Sequence, residues 1–148
     1  MTSIYILRLM RGKYYVGKTT RKNPLDRIKM HFKNGGSKWT QKYPPVEIEK
    51  IIDNCDNFDE DKYTKIYMSK YGINNVRGAS FCTIDLKKDE INLLEKSLLS
   101  ADDGCYKCGM KGHFISDCPN NNNLNNNNNN LNNNNNLNNN NNINNNNN

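Results

Sequence analysis

The chain has 148 residues, of which 34% are hydrophobic, and a formal net charge of +6; that is enough for one modest core but not for several large domains. Eleven basic residues against Asp26 alone give residues 1–45 a charge of +10 and leave −4 for the remainder, a polarity that favours a polyphosphate partner with salt-dependent binding. No apolar run approaches the roughly 20 residues needed to cross a bilayer, and Ile4 to Met10 is interrupted by Arg8 and lacks a small-residue cleavage site; the expectation is an intracellular protein of nucleus or cytoplasm, neither secreted nor membrane-bound.

In chain order, Ile4 to Met10 and Lys13 to Lys18 are β-rich runs joined around Arg11-Gly12, the signature of a hairpin. Asn23 and Pro24 then cap and open a helix that runs to about Asn34 and closes at Gly35-Gly36. Its Leu25, Ile28 and Phe32 form one stripe, expected to face the core, while Arg27 and His31, one turn apart, share another face. Pro44-Pro45 precedes a third strand, Val46 to Ile52. A second helix follows, Phe58 to Tyr71, with Asn57 and Glu60 spaced as a capping box and Gly72 just past its end. Ile91, Leu94 and Leu98 mark a third helix, capped by Asp85. The order ββαβαα predicts an α/β domain: a small three-stranded antiparallel sheet covered by helices.

Ser100 to Gly104 reads as a hinge into Cys105-x2-Cys108-x4-His113-x4-Cys118. Three thiols and one imidazole at this spacing suit a closed tetrahedral zinc site, structural in role, and a segment so short draws its folding energy from the metal. Gly109 and Gly112 allow tight turns between the ligands. The remaining thiols, Cys55 and Cys82, sit in apolar contexts typical of buried free cysteines in a reducing compartment. From 120 to 148 the chain is asparagine broken by Leu124, Leu131, Leu137 and Ile143, a low-complexity stretch expected to be disordered. The expected organisation is a domain at 1–85, a helix and linker at 86–104, a zinc module at 105–118 and a tail at 119–148.

Cys105 to Cys118, with Gly109, Gly112 and Tyr106, resembles the CCHC zinc knuckle of retroviral nucleocapsid proteins. That resemblance implies a single-stranded nucleic-acid partner and a base cleft between Tyr106 and an apolar residue after the histidine, Phe114 or Ile115; stacking of this kind is worth roughly 1–3 kcal/mol per base.

Ser3-Ile4-Tyr5 on the first strand, Tyr15-Val16-Gly17 on the second and Arg27-x-x-x-His31 on the following helix together resemble the GIY-YIG nuclease domain. Weaker matches follow at Gly35 to Thr40, at Tyr71-Gly72 with Asn75, and at Arg77-Gly78. The resemblance implies a metal-dependent endonuclease acting on DNA or RNA, with Tyr5, Tyr15 and His31 arranging and deprotonating the attacking water. Arg27 would stabilise the scissile phosphate, and a helix-borne glutamate would hold Mg²⁺ or Mn²⁺. His31 or a tyrosine would be the base, and Lys18 and Lys38 would track backbone phosphates. The sequence departs from the family at that glutamate, whose position Thr64 occupies. Glu60, one turn earlier, and Asp61 are the carboxylates within reach of a displaced ion. The alternative is a non-catalytic nucleic-acid-binding protein on a degenerate nuclease fold.

Overall fold

The protein is described from a computed structural model over residues 1–120; the asparagine-rich stretch beyond Asn120, expected to be disordered, lies outside the described residues. Two compact units follow one another, Met1–Leu98 and a second from Leu99.

The first unit is built on a mixed four-stranded sheet, in the order β3-β1-β2-β4. Strand β1 (Thr2–Leu9) is central and antiparallel to both β2 (Tyr14–Thr19) and β3 (Pro45–Cys55). Successive side chains point to opposite faces. Ile4 and Ile6 join one buried cluster with Tyr14, Val16, Met68, Val76 and Leu94, while Tyr5, Leu7 and Leu9 join a second with Ile28 and Trp39. A strand covered on both faces needs a continuous apolar run, which is what residues 4–7 supply. Arg11 and Gly12 both take positive φ at the β1–β2 turn (61° and 69°), the requirement of a tight hairpin whose twist matches its strands.

The sheet departs from expectation in having a fourth strand, β4 (Val76–Gly78), which pairs parallel to β2. It is only three residues long and contains an arginine and a glycine, so no β-pattern announces it. It is reached from β3 through α3 (Asp59–Tyr71), the crossover a parallel pair demands.

Helix α1 (Pro24–Phe32) begins as read, with the Asn23 side chain accepting from the Leu25 N–H. Its buried stripe is different: Ile28 and His31 face inward, while Leu25 and Phe32 are exposed. The histidine is on the core side because its ring finds partners there. A short helix α2 (Lys38–Lys42), capped by the Ser37 hydroxyl, fills what the sequence left as loop.

At α3 the capping pair is shifted. Asp56 accepts from the Phe58 and Asp59 N–H groups and Asp59 accepts from the Asp56 N–H, so Asn57 and Glu60 form no box. Helix α4 (Lys88–Ala101) starts three residues beyond Asp85, and the Glu90 carboxylate accepts from the Lys87 N–H; Asp85 is not its cap. Leu94 and Leu98 of α4 pack into the first core cluster. Of the two isolated thiols expected to be buried, Cys55 is half-buried and Cys82 is exposed. Among the described residues no helix is long and apolar enough to cross a membrane.

Candidate active site

Tyr5 on β1 and Tyr15 on β2 lie on one sheet face, since Tyr5 pairs with Gly17 and Leu7 with Tyr15 in an antiparallel register. The Tyr5 ring crosses the β2 backbone at Gly17, where any side chain would run into its phenol. α1 delivers His31 against both rings, with centroids 5.6 Å from Tyr5 and 4.9 Å from Tyr15. The Tyr5 hydroxyl stands 2.9 Å from His31 Nε2, and His31 Nδ1 stands 3.0 Å from Thr40 Oγ1 on α2. Gly36 lets this pair close, because a Cβ there would overlap the imidazole.

Thr40 Oγ1 also lies 3.1 Å from the Ser37 carbonyl and 3.3 Å from the Ser37 hydroxyl. With its one proton on the Ser37 carbonyl, Oγ1 would accept from His31 Nδ1–H and leave Nε2 to accept from Tyr5, the tautomer a relay needs. Burial first, and the Arg27 guanidinium second, lower the His31 pKa from 6.5 to about 4, so the ring is neutral at neutral pH. Burial also raises both tyrosines. For Tyr5 the neighbouring Tyr15 adds to the rise, while the charge and hydrogen bond of Arg27 oppose it; for Tyr15 the next cause is the negative charge of Glu60.

Glu60 thus belongs electrostatically to the tyrosine cluster. It pairs with Lys18 at 3.3 Å, and the Asp56/Asp59 cap relieves it of any role in starting the helix. Thr64 is different. It is fully buried, its hydroxyl donates to the Glu60 carbonyl at 2.7 Å, and Gly78 of β4 packs against it, so no carboxylate fits at this position. Asp61 instead pairs with Lys65 one turn along α3, at 2.9 Å. Glu60 is thus the carboxylate beside the tyrosines, the type of hard oxygen donor that Mg²⁺ or Mn²⁺ would need.

Lys18 and Arg27 line one open hollow of about 350 Å³ with Thr19, Thr20 and Arg21. Lys38 is exposed at the start of α2 and lines none of the hollows described here. Thr40 and Arg21 are site residues that sequence reading passed over. Ser37-x-x-Thr40, a serine cap followed by an inward hydroxyl, was the available signal for the first; the second was visible only as one more basic residue.

In the second unit the four metal-ligand atoms of Cys105, Cys108, His113 and Cys118 lie within 4.8 Å of one another, compatible with the roughly 3.8 Å edge of a tetrahedron with 2.3 Å zinc–sulfur bonds. The Lys107 N–H donates to the Cys105 sulfur at 3.4 Å. The Cys105 thiol is pulled down to about 6, chiefly by the Cys108 backbone N–H, which favours the thiolate a metal requires. Gly109 and Gly112 take the expected positive φ (74° and 98°). Tyr106, Phe114 and Ile115 meet on one hollow of about 140 Å³ together with Ser100, Asp103 and Gly104.

Comparison with known proteins agrees with both units. A model of the GIY-YIG catalytic domain matches residues 1–101, and a model of the zinc knuckle matches residues 103–120. Searches of curated proteins and of solved structures gave no match.

Proposed function

Because the chain belongs to the GIY-YIG catalytic domain family and carries a zinc knuckle after it, we propose that it is an endonuclease that hydrolyses phosphodiester bonds, with the knuckle holding unpaired nucleotides of the same substrate. The observation that carries this reading is the hydrogen-bonded chain Tyr5–His31–Thr40. It offers a neutral imidazole behind a phenol, and Arg27, whose charge acts on both, lines the basic hollow with Lys18 and Arg21.

In the proposed step a water beside Tyr5 and Tyr15 attacks phosphorus as the bond from phosphorus to the leaving sugar oxygen breaks. The water's proton passes to the Tyr5 oxygen as the Tyr5 proton passes to His31 Nε2, so no free phenolate forms; the imidazole is left as a cation and returns its proton to solvent after the leaving group departs. A phosphate in the site offsets the field of Arg27 and makes His31 a stronger base than in the free protein. Arg27 stabilises charge developing on the phosphate oxygens. Lys18 and Arg21 contact backbone phosphates. A divalent ion on Glu60 would neutralise charge at the leaving oxygen. The knuckle would stack a base among Tyr106, Phe114 and Ile115, and the short tether would raise the local substrate concentration for the first unit.

The direct test is incubation of the full, zinc-loaded chain with end-labelled duplex, flap and single-stranded DNA and RNA, with Mg²⁺, with Mn²⁺ and with neither added. Metal-dependent products from at least one substrate are expected. Binding without cleavage across all of them would favour a non-catalytic nucleic-acid-binding protein, for which Thr64 at the position of the family glutamate is the supporting observation.

A further inference from the structure

A second hollow of the first unit, about 320 Å³, lies beside the other face of α2 and has no part in the chemistry above. Three cations converge on it. The Lys13 ammonium lies 5.8 Å from the Trp39 ring and 5.3 Å from the Tyr43 ring, Lys42 lies 5.4 Å from Tyr43, and the Arg77 guanidinium stacks on Trp39 at 4.5 Å. Cations normally gather around carboxylates. Here they gather around two aromatic rings, and the sole acid on the wall is Asp85, which forms no ion pair among the described residues.

Arg77 sharpens the imbalance. It is 2% exposed and donates to the carbonyls of Ile73, Val76, Thr83 and Ile84. Carbonyl oxygens satisfy four of its five N–H groups; the negative charges of Asp85 and Glu90 act on it, but burial outweighs them and lowers its pKa, so this cation is only partly compensated, at a cost, and without an ion-pair partner among the described residues. An anion entering from solvent would offset that cost and the mutual repulsion of Lys13, Lys42 and Arg77.

We infer that this hollow binds a backbone phosphate of the nucleic-acid strand. The ring faces of Trp39 and Tyr43 are already covered by cations, so they offer no platform for stacking a base, whereas ammonium and guanidinium donors suit phosphate oxygens. Position favours a strand over a free ion. Trp39 and Thr40 are neighbours on α2, one facing the hollow and the other His31. Lys13 precedes Gly17 by four residues, about 13 Å at strand rise, so one strand leaving the tyrosine cluster reaches both. The inference rests on the reading of the chain as a nucleic-acid-binding protein, and adds a contact that fixes the strand's register without reading its sequence.

Trp39 is the chain's only tryptophan and lines this hollow, so its fluorescence reports on the hollow and the core packed beneath it; the Lys42 variants below separate the two. The full chain, with its zinc and without added Mg²⁺ or Mn²⁺, is titrated with a single-stranded oligodeoxynucleotide and, separately, with inorganic phosphate. A saturable change in Trp39 emission is expected with the oligonucleotide. Phosphate alone should reproduce it only at far higher concentration. Lys42 is exposed at the end of α2, so Lys42→Ala and Lys42→Glu should fold. They should weaken the Trp39 response several-fold and lower the salt slope of binding by about one, while His31→Ala keeps the response even if cleavage is lost. Wild-type response and slope in both Lys42 variants would overturn the inference. A response to phosphate but none to the oligonucleotide would overturn the strand contact and make the hollow a small-anion site. Failure of cleavage alone would touch the nuclease reading and not this one.

Discussion

The Tyr5 hydroxyl and His31 Nε2 stand 2.9 Å apart inside the first unit, and the other ring nitrogen, Nδ1, is met at 3.0 Å by a third residue, Thr40, from a five-residue helix. A tyrosine paired with a neutral, buried imidazole can pass a proton inward while the phenol itself stays neutral, the positive charge falling on the imidazole. A surface histidine would titrate near 6.5 and would have no such preference.

Thr40→Val therefore tests the relay without altering shape. It removes the acceptor for Nδ1–H, and the imidazole nitrogen spectrum of His31 should shift from the Nδ1-protonated form toward the other tautomer or a mixture. Only two histidines are present, and the second is a zinc ligand, so the assignment is direct. Thr40→Ser should retain the wild-type pattern and its activity. Stability should fall by about 1–3 kcal/mol in the valine variant, the cost of an orphaned buried donor.

The His31 pKa gives a pH prediction with a definite sign. Its folded value, about 4, lies below the unfolded 6.5, so the unfolded chain takes up the proton first on acidification. The contribution of His31 to stability is complete above pH 6.5 and is lost as pH falls toward 4, with a slope of up to about 1.4 kcal/mol per pH unit. Proton NMR of the His31 ring should show no titration between pH 8 and 5. A midpoint near 6.5 would mean that the ring is solvated and the buried relay absent.

Glu60 and Thr64 make opposite predictions. Glu60→Gln should lower cleavage by roughly 10²-fold, in line with loss of other transition-state charge partners, and weaken Mn²⁺ binding measured calorimetrically, while unfolding stability changes by no more than about 0.5 kcal/mol. Asp56→Ala, which removes the actual cap of α3, should cost about 1 kcal/mol instead. Thr64→Glu should not restore a family-like site. It forces a charge into a fully buried position against Gly78 and should destabilise on the order of 3–5 kcal/mol.

Much of this site was legible because its chemistry depends on spacing. Tyr5, Tyr15, Arg27 and His31 are fixed by two strands and one helix turn, and Cys105 to Cys118 by metal geometry. The parts that escaped were set by tertiary contacts. His31 shares the buried face with Ile28 because Tyr5 and Thr40 satisfy its nitrogens, and polar–apolar periodicity cannot show that. β4 forms because α3 delivers three residues to the exposed edge of β2. The cap of α3 moved by one residue because Asp56 and Asp59 satisfy the helix start reciprocally, and that shift is what frees Glu60 to face the tyrosines.

Zinc should be stoichiometric, one ion per chain in the reduced protein by elemental analysis. Cys108→Ser should lose it and unfold the knuckle, since metal binding provides most of the folding energy of so small a unit. The far-UV signature and cooperative melting of the first unit should be retained. Zinc-free protein with an intact knuckle would refute the structural role.

The most direct measurement of the nuclease reading is the split between cleavage and binding in Arg27→Ala. Arg27 acts mainly on charge that appears in the transition state, so the variant should cleave a labelled substrate at least about 10²-fold more slowly than wild type in the same metal. Its affinity for that substrate, measured without added Mg²⁺ or Mn²⁺, should change far less. Equal and detectable cleavage by wild type and Arg27→Ala, or a loss of binding that accounts for the whole loss of rate, would contradict the mechanism.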